Sequence, residues 1–298
     1  VFWVSNSTAQ LTNQRTGSDG NDGTFNSPFA TLDYAVGKCL ANRGDVIMVK
    51  PGHAENISSA TALAFDIVGV AIIGLGAGTN RPTFTFDTAN TATIAVSAAN
   101  VSIQNVKFVG NFLSIATVFT LTTAKYFSVT DCEFVDTSAT LGFLSIVTTS
   151  ATANAADGLV FNDNYVKSDA TTTPGPAIVI AGTTNQLDII GNEIIHTVAS
   201  NNIAALLEHG ALVVSGAMIA WNSVYSVNSD TATGALLVKT TAITGSGNIM
   251  HNRIRAQDIA AAIIVTAAAV QYGMFDNLYT GETTLLSGFV LPAIATDA

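Results

Sequence analysis

Leu187-Asp188-Ile189-Ile190-Gly191-Asn192-Glu193-Ile194 and Gly247-Asn248-Ile249-Met250-His251-Asn252-Arg253-Ile254 share one frame, whose fullest form is apolar-x-apolar-x-x-Asn-x-apolar. Aligning the chain on that Asn gives Asn164, Asn192, Asn222, Asn252 and Asn277, with Val106 and Cys132 in the same slot upstream. Subtracting successive slot numbers gives steps of 25 to 32 residues. A period in that range marks a stacked architecture in which each repeat touches only its neighbours. Each phrase opens with strand-like alternation, Val101 and Ile103 inward against Ser102 and Gln104 outward. The alternation then breaks and resumes, which is a sharp corner. A corner buried between coils strands backbone N–H and C=O groups that must find partners. An Asn side chain offers both a donor and an acceptor and tolerates left-handed dihedrals. Stacked once per coil, the five Asn residues form a ladder that ties each corner to the next.

The composition fits a tube of this kind. The chain has 298 residues, only 11% of them charged and 48% hydrophobic, with a mean hydropathy of +0.42. No stretch reaches the roughly 18–20 uninterrupted apolar residues of a membrane helix. The apolar residues fall in strand-length runs separated by Thr, Ser, Asn and Gly. A net charge of −10 and pI near 4.6 argue against sequence-independent nucleic-acid binding, which needs Lys and Arg for phosphates. Cys39 and Cys132 show neither a disulfide framework nor zinc spacing. Val1-Phe2-Trp3-Val4 has neither the charged region nor the long apolar core of a signal peptide.

Residues 1–57 read as an N-terminal strand, a turn region and a capping helix. Thr16 to Thr24 is turn-rich, and the spacing of Asp19 and Asp22 does not match a calcium loop. Ser27 reads as an N-cap and Pro28 as the first helical residue, followed by Phe29, Leu32, Ala35, Val36, Cys39 and Leu40 at helical spacing. The open end of a solenoid exposes strand edges and an apolar lumen, so a short amphipathic helix there is expected to act as a lid. Residues 58–284 read as about nine coils. Their third-side strands are placed at Thr93–Val96, Phe143–Val147, Ala177–Ile180, Ala211–Val214, Ala235–Val238 and Ala262–Val265. Residues 285–298 form an apolar tail. The whole is one domain.

The run Gly20-Asn21-Asp22-Gly23-Thr24, Ser27-Pro28-Phe29-Ala30-Thr31-Leu32, Ala35-Val36 and Gly44 through Gly52, followed by the ladder, resembles right-handed parallel β-helix proteins of the pectin-lyase-like superfamily. The resemblance implies an all-β, right-handed parallel β-helix. It does not fix a function, because that superfamily includes polysaccharide lyases, hydrolases, phage tailspikes and non-catalytic virion proteins. A lyase would imply acidic residues around calcium with an Arg or Lys base, and a hydrolase two or three carboxylates on adjacent coils.

Equal slots on adjacent coils lie about 4.8 Å apart, so spacing becomes geometry. The slot before the ladder holds Asn105, Asp131, Asp163, Gly191, Trp221, His251 and Asp276. Asp131 and Asp163 are the carboxylate pair an enzyme would use, with Glu133 and Asp136 near in sequence; turn residues bonding their own backbone explain the same positions. The four His residues share no ligand spacing, and neither a Ser/His/Asp nor a Cys/His arrangement is legible. The outward column two positions before the ladder reads Gln104, Thr130, Asn162, Ile190, Ala220, Met250 and Phe275, polar first and apolar last. With Met218 beside it, the apolar part predicts either a partner surface, the favoured reading, or a loop of the chain folded back over it.

The expectation is therefore a non-enzymatic homotrimer with Ile190, Met218, Ala220, Met250 and Phe275 at its interface, needing no metal or cofactor. Among the relatives the resemblance brings in, this composition is most similar to virion proteins of tailed phages, such as capsid decoration or cement proteins. That implies a capsid-surface location, assembly in the host cytoplasm and a major capsid protein as neighbour, with neither nucleic acid nor membrane as partner. The alternative is a polysaccharide lyase or hydrolase, or a glycan-binding tailspike, using Asp131 and Asp163 or the aromatic rings of Tyr165 and Trp221.

Overall fold

The computed structural model describes residues 1–7, 14–169, 175–197, 206–209, 214–226, 238–240, 245–256, 264–265 and 271–281. Among the described residues the strands form three sheets of 11, 9 and 8 members. One circuit shows the plan: Ser102–Gln104 lies in the first sheet, Lys107–Gly110 in the second and Phe119–Leu121 in the third. The next circuit repeats it with Ser128–Thr130, Glu133–Asp136 and Val147–Thr149, each strand parallel to its predecessor. This is the parallel β-helix that the repeat predicts.

Among the described residues eight circuits cross all three sheets, because the shortest sheet has eight strands. The first begins at Val46–Val49, so seven begin beyond residue 58, where about nine were expected; Gln271–Phe275 and Leu278–Gly281 start one more. Two third-side strands are misplaced by alternation alone. Phe143 only bridges Ile115, and the strand of that circuit is Val147–Thr149. Val214 opens a first-sheet strand, Val214–Ala220, while Leu207–His209 supplies the third side. Phe119–Leu121 has no counterpart in the expectation. Alternation says that a segment is a strand, not which wall it builds. The tail at 285–298 and residues 211–213, 235–237 and 262–263 of the expected strands lie outside the described residues.

The lumen is filled by the inward half of each strand. Phe84, Phe108, Phe134 and Phe161 stack, with centroids 5.9, 5.0 and 6.0 Å apart in succession, and Phe119 packs edge-on against Phe108 and Phe134. In the second sheet the column Phe84, Phe108, Phe134 continues as Val166, Ile194, Val224 and Ile254. Each fully buried ring or branched chain contributes roughly 1.5–3 kcal/mol.

At the N-terminal end the helix is shorter than its apolar spacing suggests. It spans Leu32–Val36, with Thr31 as N-cap accepting from the Tyr34 N–H at 3.4 Å. Ser27 instead closes a turn on Thr24, and Phe29 pairs with Val4. Asp19 explains the difference: its carboxylate accepts from the N–H groups of Ala30 and Thr31 and from Thr31 Oγ1, holding this segment off the helix. The helix still buries Leu32, Ala35 and Val36 against the strands at Phe2–Val4, Val46–Val49 and Ala64–Phe65, closing the lumen. The outer edge of Phe2–Val4 is covered as well, since Trp3 N–H donates to Gly23 O and Phe29 N–H to Trp3 O.

Every corner from Cys132 onward closes through the ladder. Asn192 Nδ2 donates to Phe161 O at 2.7 Å on the preceding coil and to Asn222 Oδ1 at 2.9 Å on the next. Asn192 Oδ1 accepts from the N–H and the side-chain amide of Asn164. Asn222 and Asn252 repeat the pattern, and Asn164 Oδ1 accepts the Cys132 N–H at 3.0 Å. The five side chains are at most 4% exposed. Cys132 substitutes weakly, its thiol 3.9 Å from Ile103 O where an amide would donate.

Each buried group left unpaired costs about 1–3 kcal/mol. Asn222→Ala is therefore expected to lose about 3–5 kcal/mol in urea unfolding. Cys132→Asn, which extends the ladder by one rung, should be neutral or stabilising by about 1 kcal/mol.

Candidate functional site: the corner column and the surfaces beside it

The residue before each ladder position is left-handed. Asn105, Asp131, Asp163, Gly191, Trp221, His251 and Asp276 have φ between 46° and 72°. Left-handed tolerance thus belongs to this slot and not to the ladder Asn itself. Each of these residues except Asp276 donates its N–H to the carbonyl two before the ladder on the next coil, as Gly191 does to Ala220 O and Trp221 to Met250 O. Gly, Asn and Asp occupy such a conformation at least cost and His is tolerated there; a Trp is strained.

Trp221 and His251 stack their rings, with centroids 4.3 Å apart and planes 20° from parallel. Trp221 is still 63% exposed although His251 covers one face, so its other face is largely open. On that side lies Gly191, which has no side chain, and a Cβ there would come within 2.2 Å of Asp163 Oδ1. Asp276 Oδ2 lies 3.9 Å from His251 Nδ1 at the other end of the stack.

Asp131 and Asp163 stand on adjacent coils, both exposed, and Asp131 Oδ2 accepts from Gln104 Nε2 at 2.8 Å. Glu133 and Asp136 do not converge on them. Glu133 faces outward from the second sheet, between Arg81 at 3.6 Å and Lys107 at 3.7 Å. Asp136 points into the core and is 8% exposed.

Asp136 opens a column that the sequence reading missed. Four positions after successive ladder slots come Gly110, Asp136, Ser168 and His196, side by side in the second sheet. That fixed offset is present in the frame, but its residue types share no signature. Asp136 accepts from Phe143 N–H at 2.9 Å, Ser168 Oγ at 2.8 Å and Asp169 N–H at 3.1 Å. A serine that gives its hydrogen to a carboxylate is not the base-activated nucleophile of acyl transfer, where the imidazole takes that proton. The column works as a brace, fixing the chain at Phe143 and Asp169 to the tube. His196 Nδ1 is buried without a hydrogen-bond partner, beside a cavity of about 20 Å³, which has room for a single water. Burial pushes the Asp136 carboxyl up to about 6, against its three hydrogen bonds, and pushes His196 down to about 4.

The expected interface column is aligned as read: Asn162, Ile190, Ala220, Met250 and Phe275 are successive partners in the first sheet. Phe275 is 54% exposed, and Ile190, Met218 and Met250 are partly exposed. Ala220 is 3% exposed, its single methyl shielded within its own chain, so it adds little outward surface. Trp221 and Leu278, 63% and 51% exposed, extend the apolar area around the corner. The column is apolar at its start too, through Met48 and Ile73. Tyr165 lies in the second sheet between Glu133 and Glu193. Among the described residues no group of three or more His, Cys, Asp or Glu could hold a metal ion.

No protein-family model matches the chain, and no curated protein sequence matches it. Among solved structures it is similar to a rhamnogalacturonan lyase, at TM-score 0.47 and 11% identity over 97% of this chain and 90% of that one. It is also similar to a pectin methylesterase from Aspergillus niger, at TM-score 0.37 and 12% identity over 95% and 90%. The fold itself rests on the strand pairing.

The brace makes stability depend on pH in two opposed ways. Asp136, raised from 3.8, contributes stability present below about 3.8 and lost as pH rises through about 6. His196, lowered from 6.5, contributes stability present above about 6.5 and lost as pH falls through about 4. Each effect is on the order of 3 kcal/mol, so in the parent they nearly cancel between pH 7 and 4. Relative to the parent, Asp136→Asn should lose stability on acidification over that window and His196→Gln should gain it, read from denaturant midpoints.

Proposed function

We propose that this β-helix is a structural, self-associating protein, a homotrimer on the head surface of a tailed phage, seated on the major capsid protein as a decoration or cement subunit. The carrying observation is the outer column Ile190, Met250 and Phe275 with Met218. A stiff tube has aligned apolar side chains over four successive coils, about 14 Å of wall at the inter-strand spacing. An aligned apolar strip on an otherwise Thr- and Ser-bearing surface is stabilised by covering it, and an elongated subunit covers one wall by closing around a rotation axis. The non-enzymatic reading is supported by the placement of the carboxylates: Asp131 and Asp163 sit at corners that favour Asp for backbone reasons, and Asp136 is spent on the brace. The virion assignment rests on the sequence resemblance and on composition.

A second reading, glycan binding, is favoured by one observation. The open face of Trp221 looks across the gap at Gly191 toward the Asp163 carboxylate. Because that carboxylate leans over Gly191, it stands about one coil step, roughly 5 Å, from the ring and sets a hydroxyl acceptor beside a stacking face.

Light scattering on size-exclusion fractions is expected to give three chains per particle for the parent. Met250→Glu combined with Phe275→Glu should yield a folded single chain; a parent that runs as a monomer at micromolar concentration removes the structural reading. Trp221→Ala should leave the trimer intact. Loss of binding on a glycan array in that variant would establish the second reading, and an array silent for the parent would end it.

A further inference from the structure

A second site lies at the opposite end of the tube, independent of the outer column. Lys50 follows the strand Val46–Val49 directly and is only 5% exposed. Its ammonium donates to the Phe25 carbonyl and lies 3.8 Å from the centroid of the Phe25 ring and 5.7 Å from that of Trp3. Trp3 and Phe25 meet edge to face at 4.9 Å. Beside them opens a cavity of about 470 Å³, within the size range of small-molecule sites. Its lining includes the hydroxyl-bearing Ser5 and Ser7 and the amide-bearing Gln14 and Asn80.

The charge balance is what singles this place out. Other basic side chains of the described residues are either ion-paired, as Arg43 is with Asp45 and Lys125 with Asp157, or exposed, as Arg15 and Lys38 are. Among the described residues no carboxylate lies within ion-pair distance of Lys50, and no Asp or Glu lines the cavity. A buried ammonium is costly unless it is paired. One carbonyl and one ring face satisfy it only in part, since an ammonium has three donors. Its desolvation is strong enough to lower the lysine's proton affinity. In a chain of net charge −10, a secluded cation beside two aromatic walls selects for a small anion that carries its own apolar body.

We infer that this cavity binds a small aromatic carboxylate, its carboxylate on Lys50 Nζ and its ring against Trp3 and Phe25. No bond is made or broken; the assignment is a binding site.

Trp3 supplies the reporter. The chain has two tryptophans, so Trp221→Phe leaves Trp3 as the sole indole. In that background, titration with benzoate should change Trp3 fluorescence saturably and raise the Tm. Benzamide, equal in shape but neutral, should bind at least tenfold more weakly, and inorganic phosphate should neither saturate the signal nor displace benzoate at equal concentration. Lys50→Met should abolish the response while keeping the parent circular dichroism. If Lys50→Met does not fold, Phe25→Ala, at a residue 43% exposed, replaces it and should weaken benzoate at least fivefold. Equal binding of benzamide and benzoate, competition by phosphate, an unaltered response in the folded variant, or a parent silent to benzoate each overturns the assignment.

Discussion

The fold depends on one repeated transaction between a carboxamide and the main chain of the neighbouring coils. A tube of parallel strands must turn a corner on every lap, and the corner is buried where sheets meet. There the backbone cannot complete its ladder of hydrogen bonds alone. The buried Asn accepts the N–H of the slot on the preceding coil and donates to a carbonyl on that same coil, so no polar group is abandoned. Because each amide is also bonded to the next, the corners are locked in register. Register then fixes everything outside the ladder, including the Phe stack in the lumen, the brace at Asp136 and the outward column at Ile190.

That dependence explains what was legible in the sequence. The ladder and the outward column are defined by fixed offsets from one conspicuous residue, so alignment on Asn192 and Asn252 finds them at once. The brace shares the property at an offset of four, but Asp136, Ser168 and His196 are three residue types with no common signature, and only the frame relates them. The third wall was less legible, since its strands are separated from the ladder by loops of unequal length. Phe119–Leu121 and Leu207–His209 follow such loops, and nothing local distinguishes them from strands of another wall. The helix was misjudged for a different reason. Phe29 to Leu32 has helical spacing, but Asp19, ten or more residues upstream, claims the N–H groups of Ala30 and Thr31. Tertiary hydrogen bonds outweighed local preference.

Charge is distributed to suit the same plan. Exposed pairs such as Lys167 with Asp169, at 2.8 Å, are worth little individually. Ionisable groups inside the tube are few and matter more. Asp136 is tolerated because three donors converge on its carboxylate, and His196 because it stays neutral. Lys50 has no such set of partners, which is why the first coil departs from the economy seen elsewhere in the tube.

The left-handed slot carries the remaining argument. Its backbone requirement is identical on every coil, and on most coils the sequence answers with the residue that meets it at least cost: Asn105, Asp131, Asp163, Gly191 and Asp276. His251 is tolerated there, but Trp221 is not, since a bulky side chain at positive φ is strained by about 1–2 kcal/mol. A local rule broken without structural return points to a demand imposed from outside the fold. Stacking on His251 returns about 0.5–1.5 kcal/mol at most, so Trp221 gains little beyond its strain. It adjoins Met250 and Phe275, where the outer column is apolar. The strained Trp221 and the apolar outer column thus coincide on one edge of the last coils, each a departure from what the tube alone needs.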